Sequence, residues 1–389
     1  MKSELLGVPI PDEAAAQERA RQVVTRAFSE RMPATEPLRM RRLRPALLAF
    51  GATAAAVVAI AVSPAGSAIV HSVRQAVGLR HAAPALTRLP APGALLVTST
   101  AGPWVVQPDG SKRLLGRYLQ ASWSPHGLFV AVTRRHELLA VDPKGTIHWS
   151  LARAGTVTLP RWSPDGYRIA YLDGNALRIV AGDGTDDRFF APRAAHVAAA
   201  WRPSGANEHV LAFVTARNEL ELADADSGLT IARRRLTGRP SELLWSKDGR
   251  RLAVVTNHGV EVFDGDGGRL PSVRLRRPAG AASFVPGTHD LTVVLGGHRS
   301  DAVTVDLDHP GSAPTEVFSG SGRFGAMAWA PDGRWLLLAW PTADQWLFVP
   351  AGDERVVAVA GIAAQFEPGN GHARSPVLDG WCCGPDGGS

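Results

Sequence analysis

The sequence predicts an all-β protein, a seven-bladed β-propeller with six blades as the alternative count, preceded by an N-terminal transmembrane helix. Three observations carry this reading. First, a phrase of the form Trp-Ser-Pro-Asp-Gly recurs: WSPHG (Trp123–Gly127), WSPDG (Trp162–Gly166), WRPSG (Trp201–Gly205), WSKDG (Trp245–Gly249), FVPG (Phe284–Gly287) and WAPDG (Trp329–Gly333). Second, its aromatic residue returns at steps of 39, 39, 44, 39 and 45 residues, the length of one four-stranded blade. Third, Asp- and Gly-rich turns such as Gly182-Asp183-Gly184 and Asp264-Gly265-Asp266-Gly267 follow each phrase at a similar offset, and seven are counted if Pro350-Ala351-Gly352-Asp353 is included. Asp and Gly suit hairpin turns because these need positive φ. A unit of this size cannot bury its own faces, so the repeats are stable only as a closed array.

Taken in order, residues 1–44 form a leader expected to lie in the cytoplasm, with an amphipathic helix over residues 12–31 whose stripe is Val23, Val24, Ala27 and Phe28. Residues 45–63 are the expected transmembrane helix. Pro45 to Val62 carry no charged side chain, and eighteen residues at about 1.5 Å each give roughly 27 Å, close to a hydrocarbon core of about 30 Å. A removed export signal has a shorter leader than this, and a buried soluble helix is the other alternative. Six arginines (26, 31, 39, 41, 42 and 44) crowd the N-terminal flank, whereas only Arg74 and Arg80 follow closely on the other side. The positive-inside rule therefore places the N-terminus in the cytoplasm and the propeller outside, as a single-pass protein of the plasma membrane.

Residues 64–88 read as a stalk and linker, with Ile69, Val70, Val73 and Val77 at helical spacing and a Pro-rich stretch from Pro84. Residues 89–389 are the expected propeller. In its second repeat the phrase is followed by strands at Arg168–Leu172, Ala176–Val180 and Arg188–Ala191. The first hairpin region supplies only three strands, Leu95–Thr98, Trp104–Gln107 and Lys112–Leu115. A fourth, taken from elsewhere, would hide both exposed sheet edges. Three segments qualify: Ile362–Phe366 with its worn FEPG, Val377–Cys383 with GWCCGPDG, and Leu89–Gly93.

Each phrase has a physical task. The aromatic residue fills the space between adjacent sheets, Pro stops the strand and Asp-Gly turns the chain. The singled-out residues Trp123, Trp162, Trp201, Trp245, Phe284 and Trp329, with Gly127, Gly166, Gly205, Gly249 and Gly333, are accordingly assigned to structure. The order WSPDG, then IAY or LAV, then a V-x-D-x-D-G turn resembles the TolB-like or PD40 repeat family of propellers, related to WD repeats, over residues 89 to 383. That resemblance implies an interaction platform of the bacterial envelope. Family members of the TolB kind carry a small α/β domain ahead of the ring, whereas this chain offers an anchor and stalk, so TolB's own partner does not transfer.

Signatures of chemistry are missing. The sequence lacks G-x-S-x-G, HExxH, a P-loop and a dinucleotide fingerprint. The twelve histidines are scattered singly, with His126 and His258 beside turns. Asp224, Asp226 and Gly228, like Asp264, Asp266 and Gly267, lack the later Glu of a calcium loop and read as turns. Cys382 and Cys383 are either two thiols in a last strand or a vicinal disulfide, with no further Cys for a zinc site. The formal charge is +6, yet the densest basic run abuts the apolar segment, which favours a membrane over nucleic acid. The expectation is a non-enzymatic, monomeric propeller without cofactor or metal, anchored in the membrane and binding an unknown protein or cell-envelope component. The alternative is a transmembrane regulator of the anti-sigma kind, working through residues 1–44.

Overall fold

The computed structural model describes residues 82–203, 209–352, 355–367 and 373–383. The leader helix, the apolar segment 45–63, the stalk up to residue 81 and Gly205 lie outside them. No helix of the described residues is long and apolar enough to cross a membrane.

The chain forms seven four-stranded antiparallel sheets, which settles the count at seven blades. The inner strands of blades 2 to 7 are Gln120–Trp123, Val157–Trp162, Ala200–Trp201, Pro240–Trp245, Ala279–Phe284 and Met327–Trp329. In blade 3 the inner strand is followed by Arg168–Asp173, Ala176–Ala181 and Arg188–Ala191, matching the sequence expectation to within a residue. Second strands are buried on both faces because a neighbouring blade covers each side, so Val210–Val214 reads as an unbroken apolar run. Outer strands such as Ile147–Ala152 face solvent and alternate toward polarity.

Of the three closure candidates the structure selects Val377–Cys382. It lies along Ala94–Ser99 as the inner strand of blade 1, followed by Gly102–Val106 and Lys112–Leu114. Ile362–Phe366 is instead a five-residue helix whose Ile362 and Phe366 are fully buried, and Leu89–Gly93 pairs in no sheet. The physical reason is register: Trp381 stands opposite Leu95 as Trp162 stands opposite Ile169 and Trp245 opposite Leu252. In that register Trp381 supplies the aromatic wedge at the seventh interface.

Seven apolar clusters of the described residues correspond to the seven blade interfaces. The cluster between blades 7 and 1 joins Phe348, Phe366 and Trp381 to Leu86 and Leu89, so the segment just before the first strand is part of the core. Ala83 bonds along the outer strand of blade 7, with its N–H donated to Ala358 O (2.8 Å), and Leu89 N–H donates to Pro108 O (2.9 Å) in the last turn of blade 1. Residues 83–89 thus run from one end of the ring to the other.

The two ends differ in kind. At the phrase end lie the turns between first and second strands and between third and fourth; Gly182 N–H donates to Tyr167 O (2.8 Å) across two such turns. At the opposite end lie the second-to-third turns and the connections to the next blade, where Arg153 N–H donates to His136 O (2.8 Å).

Candidate functional site

The phrase residues are consumed by the architecture. Trp201 donates its indole N–H to Arg161 O in the preceding inner strand (3.0 Å), Trp245 repeats this to Ala200 O (3.2 Å), and Trp381 donates to Pro92 O (3.1 Å). Trp329 donates to Thr292 Oγ1 (3.2 Å). Trp162 is buried and Trp123 partly buried, both with indole N–H groups lacking an acceptor among the described residues; Phe284 packs into the interface of blades 5 and 6. Gly127, Gly166, Gly249 and Gly333 all have φ between 67° and 77°, the left-handed conformation that closes each phrase. At Gly249 a Cβ would also meet Pro203 O at 2.3 Å.

Two histidines form a latch that the sequence reading missed. His209 contacts Asp165 of the previous blade (2.9 Å) and Asp226 of its own (2.7 Å), while Arg168 donates to Asp226 (2.7 Å). Between blades 5 and 6 the same set recurs: His289 contacts Asp248 (3.0 Å) and Asp308 (2.8 Å), and Arg251 donates to Asp308 (2.8 Å). Burial opposes charge on the His289 imidazole, but Asp308 and Asp248 outweigh it and raise its pKa. Burial likewise opposes charge on Asp248, yet bonds from Ser246 Oγ and Arg250 N–H, with His289 beside them, hold it down to about 2. The available signal was positional: both histidines come directly before the second strand of their blade. Asp226, read from sequence as part of a plain turn, is a member of the first latch.

A second group is invisible to local reading. Arg161, Glu242 and Asp379 lie on the inner strands of blades 3, 5 and 1. Arg161 senses the charge of both carboxylates although these blades are not neighbours, so the three share the central axis. Among the described residues no ion pair within 4 Å joins them. Inner strands have one unpaired edge, and its N–H groups need acceptors. Glu242 Oε2 accepts from Ala282 N (3.1 Å) and Gln120 Oε1 from Leu159 N (2.6 Å), each reaching to the next blade. Asp379 accepts from Thr98 Oγ1 (2.7 Å) at a bulge in the closure strand.

Desolvation pushes both Glu242 and Asp379 up to about 7, against the pull of their hydrogen bonds and of Arg161. Burial also lowers the Arg161 guanidinium. By surface area Arg161 and Asp379 are exposed and Glu242 half-buried. A narrow axial channel accounts for both facts, since a side chain can border a small solvent-accessible space without gaining the solvation of bulk water.

Two cavities open at the ends of the ring. One, of about 630 Å³, lies at the phrase end among Arg202, Asp248, Arg251, Asp264, His289 and Asp308. The other, of about 640 Å³, lies at the opposite end against Trp104, Leu114, Tyr118, Leu119, Phe366 and Glu367. No group of three His, Cys, Asp or Glu side chains among the described residues could hold a metal ion. Cys382 and Cys383 are joined as a vicinal disulfide where the closure strand ends, with Cys383 Sγ 3.4 Å from Pro125 O. Of the basic clusters noted in the sequence, Arg233 is bound to Glu221 (3.0 Å) and Arg277 to Asp301.

Comparison with known proteins defines a class and goes no further. The ring is similar to the β-propeller domain of Cps50 (Swd1) from Myceliophteria thermophila, with a TM-score of 0.50 and 15% identity over 63% of this chain and 86% of that one. It is also similar to Kuenenia stuttgartiensis hydrazine synthase, at a TM-score of 0.49 and 11% identity over 60% and 76% of the two chains. No family model matches the chain, and no curated protein matches it. The protein is a seven-bladed β-propeller; the likeness extends to the fold alone.

Proposed function

We propose that this protein is a non-enzymatic interaction platform of the TolB-like kind, held at the plasma membrane by residues 45–63, with its N-terminus in the cytoplasm and its propeller outside. One observation carries the reading: the repeated residues are spent on wedges, latches and turns within the ring, which leaves the loop ends to meet a partner. The axial charges fit this view, since Glu242 and Asp379 both bond to the ring itself. The apolar segment, its arginine flank and the length of the leader support the anchor. The partner expected is a protein or another component of the cell envelope.

Two measurements test the two halves. Protease added to intact cells should digest the propeller and spare residues 1–44; a protected propeller would overturn the topology. A photo-crosslinking residue at exposed Leu119 or Leu229, introduced into the full chain in its native envelope, should yield one discrete adduct from at least one of the two positions. Adducts from neither, with cleaved propeller confirmed on the cell surface, would overturn the platform reading.

A further inference from the structure

The cavity at the end opposite the phrases has a lining that the ring does not require. It holds about 640 Å³, within the roughly 300–1,000 Å³ of ordinary ligand pockets, beside the second-to-third turn of blade 1. The connection to blade 2 lines it with Arg117, Tyr118 and Leu119, and the helix Ile362–Phe366 lines it with Phe366. Its aromatic part is held in place. Trp104 donates its indole N–H to Ser99 Oγ (3.1 Å) and meets Phe366 edge to face at 5.7 Å, while the Arg134 guanidinium lies 5.1 Å from the centre of the Tyr118 ring.

Two apolar side chains of this lining stay in solvent: Leu114 is 39% exposed and Leu119 60%. Leu119 stands four residues before Trp123, and the same position before the aromatic wedges of blades 3, 5, 6 and 7 holds Thr158, Ser241, Gly280 and Gly325. In blade 4 it holds Val197, which packs into a blade interface. The repeat therefore does not demand an exposed leucine here. Blade 1 makes the same exception, since Val377, four residues before Trp381, is 59% exposed and stands opposite Thr98, in the strand that leads to the turn at the cavity. Adjoining blades thus present apolar surface on one rim, which marks an interaction site.

The charge around the cavity is one-sided. Arg117 in the lining and Arg135 in the adjoining turn of blade 2 are both exposed, and among the described residues neither has a carboxylate within 4 Å. Two acids of this region are already engaged. Glu367 is buried and accepts from Thr100 N–H (2.8 Å) and Thr100 Oγ1, and Glu137 is paired with Arg134 (3.0 Å). A partner that brings its own carboxylate to Arg117 meets no opposing charge that is still free to repel it.

We propose that this cavity binds an extended peptide segment of the partner, which lays an aromatic or leucine side chain against Leu114 and Leu119 and sets an aspartate or glutamate beside Arg117. The proposal rests on the platform reading and adds to it the site and the chemistry of the partner. A concave apolar surface takes a protruding side chain better than a flat bilayer. A single-stranded nucleic acid is disfavoured because Tyr118 is buried under Arg134 and the exposed apolar lining is aliphatic, so a base finds no open ring there on which to stack.

A displayed library of random short peptides is selected on the full chain held in phosphatidylcholine nanodiscs, and the strongest binder is then made as a free peptide. Enriched sequences should share a large apolar residue next to Asp or Glu. Leu119→Asp should weaken the free peptide by about tenfold or more, as expected for an apolar anchor, and Arg117→Gln by about threefold at low salt and less at high salt. Leu128→Asp, at an equally exposed leucine of the phrase end, should leave binding unchanged. Thermal unfolding confirms that each variant is folded.

No enrichment, enriched sequences lacking either the acid or the apolar residue, or equal losses in Leu119→Asp and Leu128→Asp would each overturn the proposal. So would displacement of the peptide by soluble polyphosphate or by phosphatidylglycerol vesicles at the same charge concentration, since either would make the surface a general polyanion site. Crosslinking in the native envelope reports the platform separately. A discrete adduct from Leu229 with no peptide selected keeps the platform and loses this cavity, whereas a selected peptide that obeys the variants, with adducts from neither position, keeps the cavity and loses the platform.

Discussion

Replacing Trp381 with Ala tests the closure of the ring. Trp381 is 8% exposed, meets Phe348 edge to face at 5.9 Å between ring centroids, and donates to Pro92 O at 3.1 Å. Truncating a buried tryptophan costs about 3–5 kcal/mol. Loss of the indole donor falls within that range if water reaches Pro92 O, so about 4 kcal/mol is expected. At roughly 2.1 cal/mol/K of unfolding entropy per residue, a ring of this size has about 0.6 kcal/mol/K, and the melting temperature should fall by about 6 °C. Trp162→Ala is the control, because Trp162 is equally buried but its indole N–H has no acceptor among the described residues and its blade is continuous in sequence. Its cost should be smaller by about 1 kcal/mol, the net worth of one hydrogen bond. The assay is urea unfolding followed by tryptophan fluorescence and by circular dichroism. In the Trp381 variant the two probes should separate and the m-value fall, since the chain ends are joined by this strand and its loss lets the ring open before it melts. A coincident, two-state transition in Trp381→Ala, with a cost no greater than that of Trp162→Ala, would refute the reasoning.

Two further outcomes follow from local geometry. Gly249→Ala should cost about 2–3 kcal/mol in chemical denaturation, combining about 1–2 kcal/mol for a left-handed alanine with the clash at Pro203 O. Gly287→Ala, at φ 79° with nothing within 4 Å of the added Cβ, should show only the first term, and equal costs at the two sites would contradict the packing described. Asp379 and Glu242 have folded pKa values near 7, above their ordinary 3.8 and 4.5, so the folded protein binds their protons more tightly than the unfolded chain. Their contribution is most favourable below about pH 4 and is lost as the pH rises toward 7. The double variant D379N, E242Q should therefore lose less stability than the parent between pH 5 and 8, by on the order of 1 kcal/mol after allowing for screening by channel water. Identical pH profiles would show that the axis is fully solvated.

Much of the fold could be read from the chain because its cues are local. Trp162, Pro164 and Gly166 lie within five residues, and each acts on its own turn or its immediate neighbour. Closure was narrowed to three segments but not chosen, because Val377–Cys382 pairs with Ala94–Ser99 from the far end of the propeller and Ile362–Phe366, with its FEPG, carried a partial version of the same phrase. The latches were harder to see. His209 and Asp165 are 44 residues apart and matter to each other only once two blades stand side by side. The axial charges had no sequence cue, since Arg161, Glu242 and Asp379 sit at unremarkable strand positions and acquire meaning from a shared axis.

By itself the sequence determined the repeating unit, its turns and its aromatic wedges, because positive φ, strand alternation and the 39- to 45-residue spacing are properties of short stretches of chain. The tertiary structure alone decided which segment supplies the inner strand of blade 1, the histidine latches and the charges on the axis. These depend on distance in space between residues remote in sequence, and distance is fixed only when the ring shuts.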